Sequence, residues 1–499
     1  MSVVTSFSKG LLASLFVFSV VLLSGCQDDD DGDKNPPVIS NLSHADNEKV
    51  IGNRTITFSA EATDDSSHTV TITHNGNPVT VTPSGNTYSA SITLEDRTNN
   101  AIVVTAKDAV NITTETITLN YPFLAFTNGQ AASVVIGQAD FNGSDPNRGG
   151  VVAANGFDDP RGITIVNGRL YIVDSANNRV LGYQSIPTSD QNADFVIGQS
   201  NFETNSSGLG ATQLKSPHSV SSDGIKLLVS QGVVSDTNGA GNVHQWNTVP
   251  VSNQAADNVI GETGFGVETT ACNNSTIGFS SSGTAFAVYI VNNNVIAADT
   301  ANNRVLIWNS IPSDNGVPAD IVLGQDSFTE CLPNDVNHNG VSDDTGLSAS
   351  TLSAPFGLWS DGTRLAVADA NNARVLIWNT FPTDNAQPAN VVLGQSALDV
   401  ANFDTETRSA TNFLATDIAS NGNQFFATDF FGSRLLIWDT FPAASNQPAD
   451  KVLGKSTLTS NAGLDSNASI GQSRSIFSHD NHLFVSSTTF NRVLIFNPQ

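Results

Sequence analysis

The sequence predicts an all-β chain in two parts: a small sandwich, then a ring of six four-stranded units closed by a strand that precedes the first unit. Three observations predict this. A long phrase recurs, as NNRVLIWNSIPSDNGVPADIVLGQDSF at 302–328, NARVLIWNTFPTDNAQPANVVLGQSAL at 372–398 and GSRLLIWDTFPAASNQPADKVLGKSTL at 432–458, with looser copies at 177–202 and 242–265. Repetition at a long period indicates one supersecondary unit used many times. Within a unit, four short apolar runs alternate with turn residues, as in FGLWS (356–360), RLAVAD (364–369), RVLIWN (374–379) and ANVVLG (389–394), which is the pattern of a four-stranded blade. Finally, the phrase is split between the ends of the array: ASVVIGQADF stands alone at 132–141, and NRVLIFNPQ at 491–499 lacks that half.

The elements follow in order. Lys9 and the apolar run 11–23 precede Ser24, Gly25 and Cys26. The run is too short to span a bilayer comfortably, and its flanks fit an export signal over 1–25. The LSGC ending resembles the bacterial lipobox, which implies lipidation at Cys26 and a membrane partner reached through that lipid. By the same resemblance, Gln27 implies the outer membrane, with the protein facing the periplasm or the cell surface. The acidic stretch 26–35 then reads as a solvated tether.

Residues 36–121 alternate Thr and Ser with Val and Ile at period two, with turns at Asn75-Gly76 and Ser84-Gly85-Asn86. That texture predicts a small β-sandwich. It resembles bacterial immunoglobulin-like modules through PPVI at 36–39, ATDD at 62–65 and VVTAKDAVN at 103–111, which implies a spacer or adhesive unit.

The ring is expected over 122–499. Arg304, Arg374, Arg434 and Arg492 lie 70, 60 and 58 residues apart, and the 125 residues from Arg179 to Arg304 hold two units. The RVLIW run is apolar on both faces, as a sheet covered by neighbours on each side requires. Inner strands are expected near Ile163, Val220, Val288, Leu358, Ile418 and Ile476, and 132–137 completes the sixth unit beside 492–496. Closure removes the exposed edges of an open array.

The units resemble NHL repeats, in particular a bacterial group rich in VADxxNxRVLIWN…P…ADxVLGQ. The matching residues are Asp174, Asn178 and Arg179; Asp299, Asn303 and Arg304; Asp369, Asn372 and Arg374; and Asp429 and Arg434. The resemblance implies a six-bladed propeller that binds partners. Amidating lyases and calcium-dependent lactone or ester hydrolases on related folds make a channel hydrolase or lyase the alternative. The eight His do not repeat the lyase pattern, and no GxSxG elbow occurs, so no catalytic residue is assigned. An Asp and Arg that recur in several units read as braces, because a catalytic residue needs to appear once.

Candidate site residues lie where the units differ. Aligning the residue at the inner-strand mouth gives Arg161, His218, Phe286, Phe356, Thr416 and Arg474. In a chain of formal charge −26, a locally basic mouth is expected to receive a carboxylate, phosphate or acidic sugar, with Asp417 the nearest carboxylate available to balance it. The same charge argues against nucleic acid as a partner; a protein or glycan remains. Cys272 and Cys331 follow equivalent glycines in adjacent units, which predicts a disulfide in an oxidising compartment. The loop at 335–343 matches DxNxNGxxD, with Asp335, Asn337, Asn339, the Val341 carbonyl and Asp343 expected to hold a structural calcium ion. No organic cofactor is implied.

Overall fold

The structure, a computed structural model, describes residues 35–50, 55–95, 99–121, 123–232, 239–279, 286–337, 346–400, 407–464, 467–480 and 482–498. The signal segment 1–25, Cys26, the tether apart from Asn35, and Asn339, Val341 and Asp343 of the calcium loop lie outside the described residues. The described chain is all-β, with short 3-10 turns as its helical segments.

Two sheets lie between Val38 and Asn120. One orders Val38–Ser40, Thr55–Thr63, Thr87–Thr93 and Thr82–Ser84; the other orders Glu48–Lys49, Ile112–Asn120, Asn100–Lys107, Thr69–His74 and Asn77–Val79. Period-two patterning is realised in the burial of Thr55–Thr63 and Asn100–Lys107, where Phe58, Ala60, Ala62, Ile102, Val104 and Ala106 are buried and their neighbours are less so.

From Val134 onward the fold is propeller-like, a series of antiparallel four-stranded meanders. Their first strands are Pro160–Val166, Pro217–Ser222, Val288–Val291, Pro355–Ser360, Ile418–Ser420 and Ser473–His479. The fourth meander continues through Leu365–Asp369, Arg374–Trp378 and Val391–Leu393, and the others repeat this order. The sixth takes its fourth strand from Val134–Ile136, paired Val134 to Ile495, Val135 to Leu494 and Ile136 to Val493. The second has an extra strand not anticipated from sequence, Ile277–Phe279, paired with Gly239–Trp246.

Packing follows the two-faced apolar pattern. All five residues of Arg374–Trp378 are buried. Val375 and Ile377 pack with the fifth meander's Leu436 and Trp438, while Leu376 and Trp378 pack with the third's Val305 and Ile307. Equivalent cores join the second meander to the third, the fifth to the sixth, and the first to the second. Another joins the sixth to the first, through Phe484, Val493 and Ile136 against Ile163, Leu170 and Ile172. The first strands touch in the same cyclic order, and Ser473–His479 meets Pro160–Val166.

Each brace is fully buried. Arg179, Arg304, Arg374 and Arg434 donate through Nε to Asp174, Asp299, Asp369 and Asp429 at 2.6–2.7 Å. Their remaining N–H groups donate to loop carbonyls; Arg304 reaches those of Phe328, Asn273 and Thr276. Burial pushes Asp174 up to about 6, against the Arg179 charge.

Cys272 and Cys331 form a disulfide between the loops on either side of the third meander, with Cα atoms 6.5 Å apart. It sits on that brace: Arg304 Nη1 lies 3.7 Å from Cys272 Sγ, and Asn303 Nδ2 donates to the Cys331 carbonyl. Reduction is expected to lower stability by about 2–4 kcal/mol. Denaturant titrations with and without reductant measure it, and coincident curves would show that the crosslink contributes nothing.

Candidate functional site

The inner-strand mouths are built from the repeated sequence. In three meanders a residue with positive φ precedes the proline that opens the strand: Asp159, Ser216 and Ala354. The backbone N–H of each donates to the Oδ1 of an Asn on the preceding meander, Asn491, Asn178 and Asn303 respectively. The repeated Asn therefore anchors the entry of the next inner strand. Just beyond, the inner strand carries one more residue than its partner. Pro160 pairs with Asp174 and Ile163 with Ile172; the same irregularity occurs at Pro217/Ser219, Pro355/Leu358 and Ser473/Ser475. A bulge re-aims the side chain at that point, here Arg161, His218, Phe356 and Arg474.

Inner strands of successive meanders approach closely. A Cβ on Gly162 would lie 2.7 Å from Ser219 Cα, and one on Gly357 would lie 2.6 Å from Asp417 Cα. Neither glycine admits a side chain without separating the strands.

Five of the six aligned residues, His218, Phe286, Phe356, Thr416 and Arg474, line one small cavity together with Asp417 and Ser475. The sixth, Arg161, stands behind it. Arg161 is 7% exposed, donates through Nε and Nη2 to Asp159 Oδ2 at 2.9 and 2.6 Å, and donates through Nη1 to His218 Nδ1. A guanidinium has no acceptor, so His218 Nδ1 accepts and its proton is on Nε2. Burial holds the His218 pKa well below the ordinary histidine value, reinforced by Arg161 and Arg474, so the ring is neutral. Thr416 is committed to Thr428 Oγ1 and the Ser473 carbonyl. Phe286 is fully buried and Phe356 nearly so.

Arg474 is the cation that the cavity meets directly. It is half-buried, stacked over Phe430 at 4.8 Å, and its pKa is lowered to about 10 by burial and by Arg161. The carboxylate that balances the mouth is Asp159 rather than Asp417. Asp159 immediately precedes the opening proline and so escaped an alignment of the residues that follow it. Asp417 accepts from the Ile476 N–H at 3.0 Å, and burial pushes it up to about 7. It also lines a deeper cavity of about 190 Å³ between the inner strands. Of the calcium loop, Asp335 is buried and Asn337 exposed. Among the described residues, no cluster of three or more His, Cys, Asp or Glu is placed to hold a metal.

An NHL repeat model matches residues 157–183, which span the first three strands of the first meander. Among curated proteins none matches. Among solved structures, the chain is similar to one named as a phosphatase from Bacteroides thetaiotaomicron, at 11% identity over 93% of this chain and 98% of that one, with a TM-score of 0.41. It is also similar to an auxiliary nutrient binding protein from the same organism, at 12% identity over 93% and 97%, with a TM-score of 0.40. The titin M3 domain aligns at 18% identity over 17% of this chain and 96% of that one, with a TM-score of 0.15. The chain thus carries an NHL repeat on a propeller-like all-β fold.

Proposed function

We propose that this chain is a lipid-anchored protein of the bacterial outer membrane whose ring binds a small carboxylate-bearing ligand. In this reading Cys26 carries the lipid, 26–35 is the tether, and 36–121 is an immunoglobulin-like spacer. Residues 122–499 form one six-bladed NHL-type propeller. The cyclic order of shared cores supports that count, and the pairing of Val134–Ile136 with Arg492–Phe496 supports closure by the early strand. The loop at 335–343 holds a calcium ion that stiffens an insertion.

The observation that carries the binding reading is the gathering of His218, Phe286, Phe356, Thr416 and Arg474 around one cavity, with Arg161 bonded to His218 behind it. This is a basic mouth on a chain of charge −26. Arg474 presents a guanidinium whose fork matches a carboxylate. Asp159 offsets Arg161, which leaves Arg474 for the ligand, while neutral His218 adds no charge. The acidic group of a uronic acid or of a protein side chain would present the same chemistry as a free carboxylate.

The test is to titrate acetate, inorganic phosphate and glucuronate into the wild type and into the Arg474→Ala and Arg161→Ala/Arg474→Ala variants. A hydrogen bond to a charged group contributes about 1.5–3 kcal/mol, so affinity is expected to fall by roughly ten- to a hundredfold in Arg474→Ala. Equal binding by all three proteins would reduce the mouth to scaffold.

A further inference from the structure

We infer that the ligand of this channel is a zwitterion, with its carboxylate on Arg474 at the mouth and an ammonium group against Asp417, one step deeper. This inference rests on the anion-site reading above and narrows its ligand class. Arg474 and Asp417 line the same small cavity, and Asp417 and Ser475 also line the larger one beyond it. A guanidinium and a carboxylate therefore stand in sequence along one path.

Asp417 differs from the other carboxylates of the ring interior. Asp174, Asp299, Asp369 and Asp429 each meet an arginine at 2.6–2.7 Å. Among the described residues no cation makes an ion pair with Asp417; its partners are the backbone N–H of Ile476 and Ile418 and the Ser475 hydroxyl. Asp417 is half-buried, and a carboxylate partly withdrawn from water without a counter-charge either takes up a proton or awaits a cation. The surroundings suit an ammonium. The deeper cavity is lined by Ser219, Ser221, Ser420, Ser475 and Ser478, whose hydroxyl oxygens can accept the remaining ammonium protons. One carboxylate among hydroxyls supplies too little negative charge for calcium or magnesium, which take several carboxylate and carbonyl oxygens. The deeper cavity of about 190 Å³ is also smaller than the roughly 300–1,000 Å³ of pockets for drug-sized ligands, so the ligand is short.

Protonation gives the inference a signature. The titratable groups that line the two cavities beside Asp417 are His218, Tyr289 and Arg474, with the paired Arg161 and Asp159 behind His218. His218 is neutral, burial pushes Tyr289 up to about 12, and Arg474 falls only to about 10. Between pH 6 and 8 Asp417, at about 7, is thus the member of this set that changes charge. An alkyl ammonium with a pKa of about 10 keeps its charge throughout this range. The ammonium contact is therefore present above pH 7 and is lost as the pH falls below it.

The experiment is calorimetric titration of the full chain at pH 8 with glycine, β-alanine, γ-aminobutyrate and 5-aminovalerate, each beside the matched carboxylate without the amine. At least one amino acid is expected to bind about tenfold more tightly than its partner. That preference should disappear in Asp417→Asn, and in the wild type it should shrink between pH 8 and 6. Equal binding of every pair, or a preference kept in Asp417→Asn, would overturn the inference while carboxylate binding itself keeps the anion site. Absence of binding by all probes would overturn both. The wild-type pH profile serves as the readout should Asp417→Asn fail to fold.

Discussion

Replacing Arg374 with alanine is expected to destabilise the propeller-like fold by about 3–5 kcal/mol, the range for removing one partner of a buried ion pair. The guanidinium is fully buried and uses its whole fork. Nε donates to Asp369 at 2.7 Å, Nη1 to the Leu398 carbonyl, and Nη2 to the carbonyls of Ser348 and Thr351 at 3.1 and 2.8 Å. Alanine would leave three carbonyls and a carboxylate inside the protein without those donors. Burial already raises the Asp369 pKa, and Arg374 is the largest influence opposing that rise. Without it the folded-state pKa climbs further above the unfolded value. A raised carboxyl loses stability as pH rises through the interval between the two pKa values, so the deficit should be larger at pH 8 than at pH 5. Adding Asp369→Asn should recover part of the loss by removing the buried charge. All five tryptophans lie between 246 and 438, so fluorescence during urea titration reports the ring rather than the preceding sheets. A loss below about 1 kcal/mol, the value of an exposed pair, would show that the brace contributes little.

Loss of the closing strand is the second large effect. Removing 122–141 is expected to lower stability by several kcal/mol and to promote association through the bared edge of Arg492–Phe496. The strand is short, yet it contributes to two cores: Val135 packs beside the fifth and sixth meanders, and Ile136 beside the sixth and first. The single change Ile136→Ala should cost about 2–5 kcal/mol, because the buried side chain leaves a cavity. Val134, only partly buried, should cost less when changed to alanine. Equal, small effects of the two substitutions would mean that the strand covers the edge without joining the two cores.

Much of the fold was legible because the repeat is a packing device. Positions such as Val375, Leu376, Ile377 and Trp378 must be apolar on both faces when each sheet is covered twice, and that constraint is written into most copies, the second departing from it with His244 and Gln245. The split phrase pointed to the pairing of 132–137 with 492–496, realised as Val134 with Ile495, because each half carries the apolar strand that its counterpart pairs with in the intact copies, and register follows the apolar pattern. Cys272 and Cys331 could be matched because they follow equivalent glycines, Gly261 and Gly324, in adjacent units. The extra strand Ile277–Phe279 was not legible. It is three residues long, and its partner segment opens with Gly239-Ala240-Gly241, which carries no strand signal.

The candidate mouth divides differently. Repetition by itself determined that Arg161, His218, Phe286, Phe356, Thr416 and Arg474 occupy one place in successive units, and that a recurring Asp and Arg brace those units. Only the tertiary structure decided which of them line the cavity. A bulge at the strand entry, an Asn anchor and the close approach at Gly162 set Arg161 against Asp159 and His218, while Phe286 is buried and Arg474 lines one cavity with Asp417. Alignment reports the position of a Cα around an axis. The direction of a side chain, and the burial that sets its charge, arise from contacts between strands far apart in the chain.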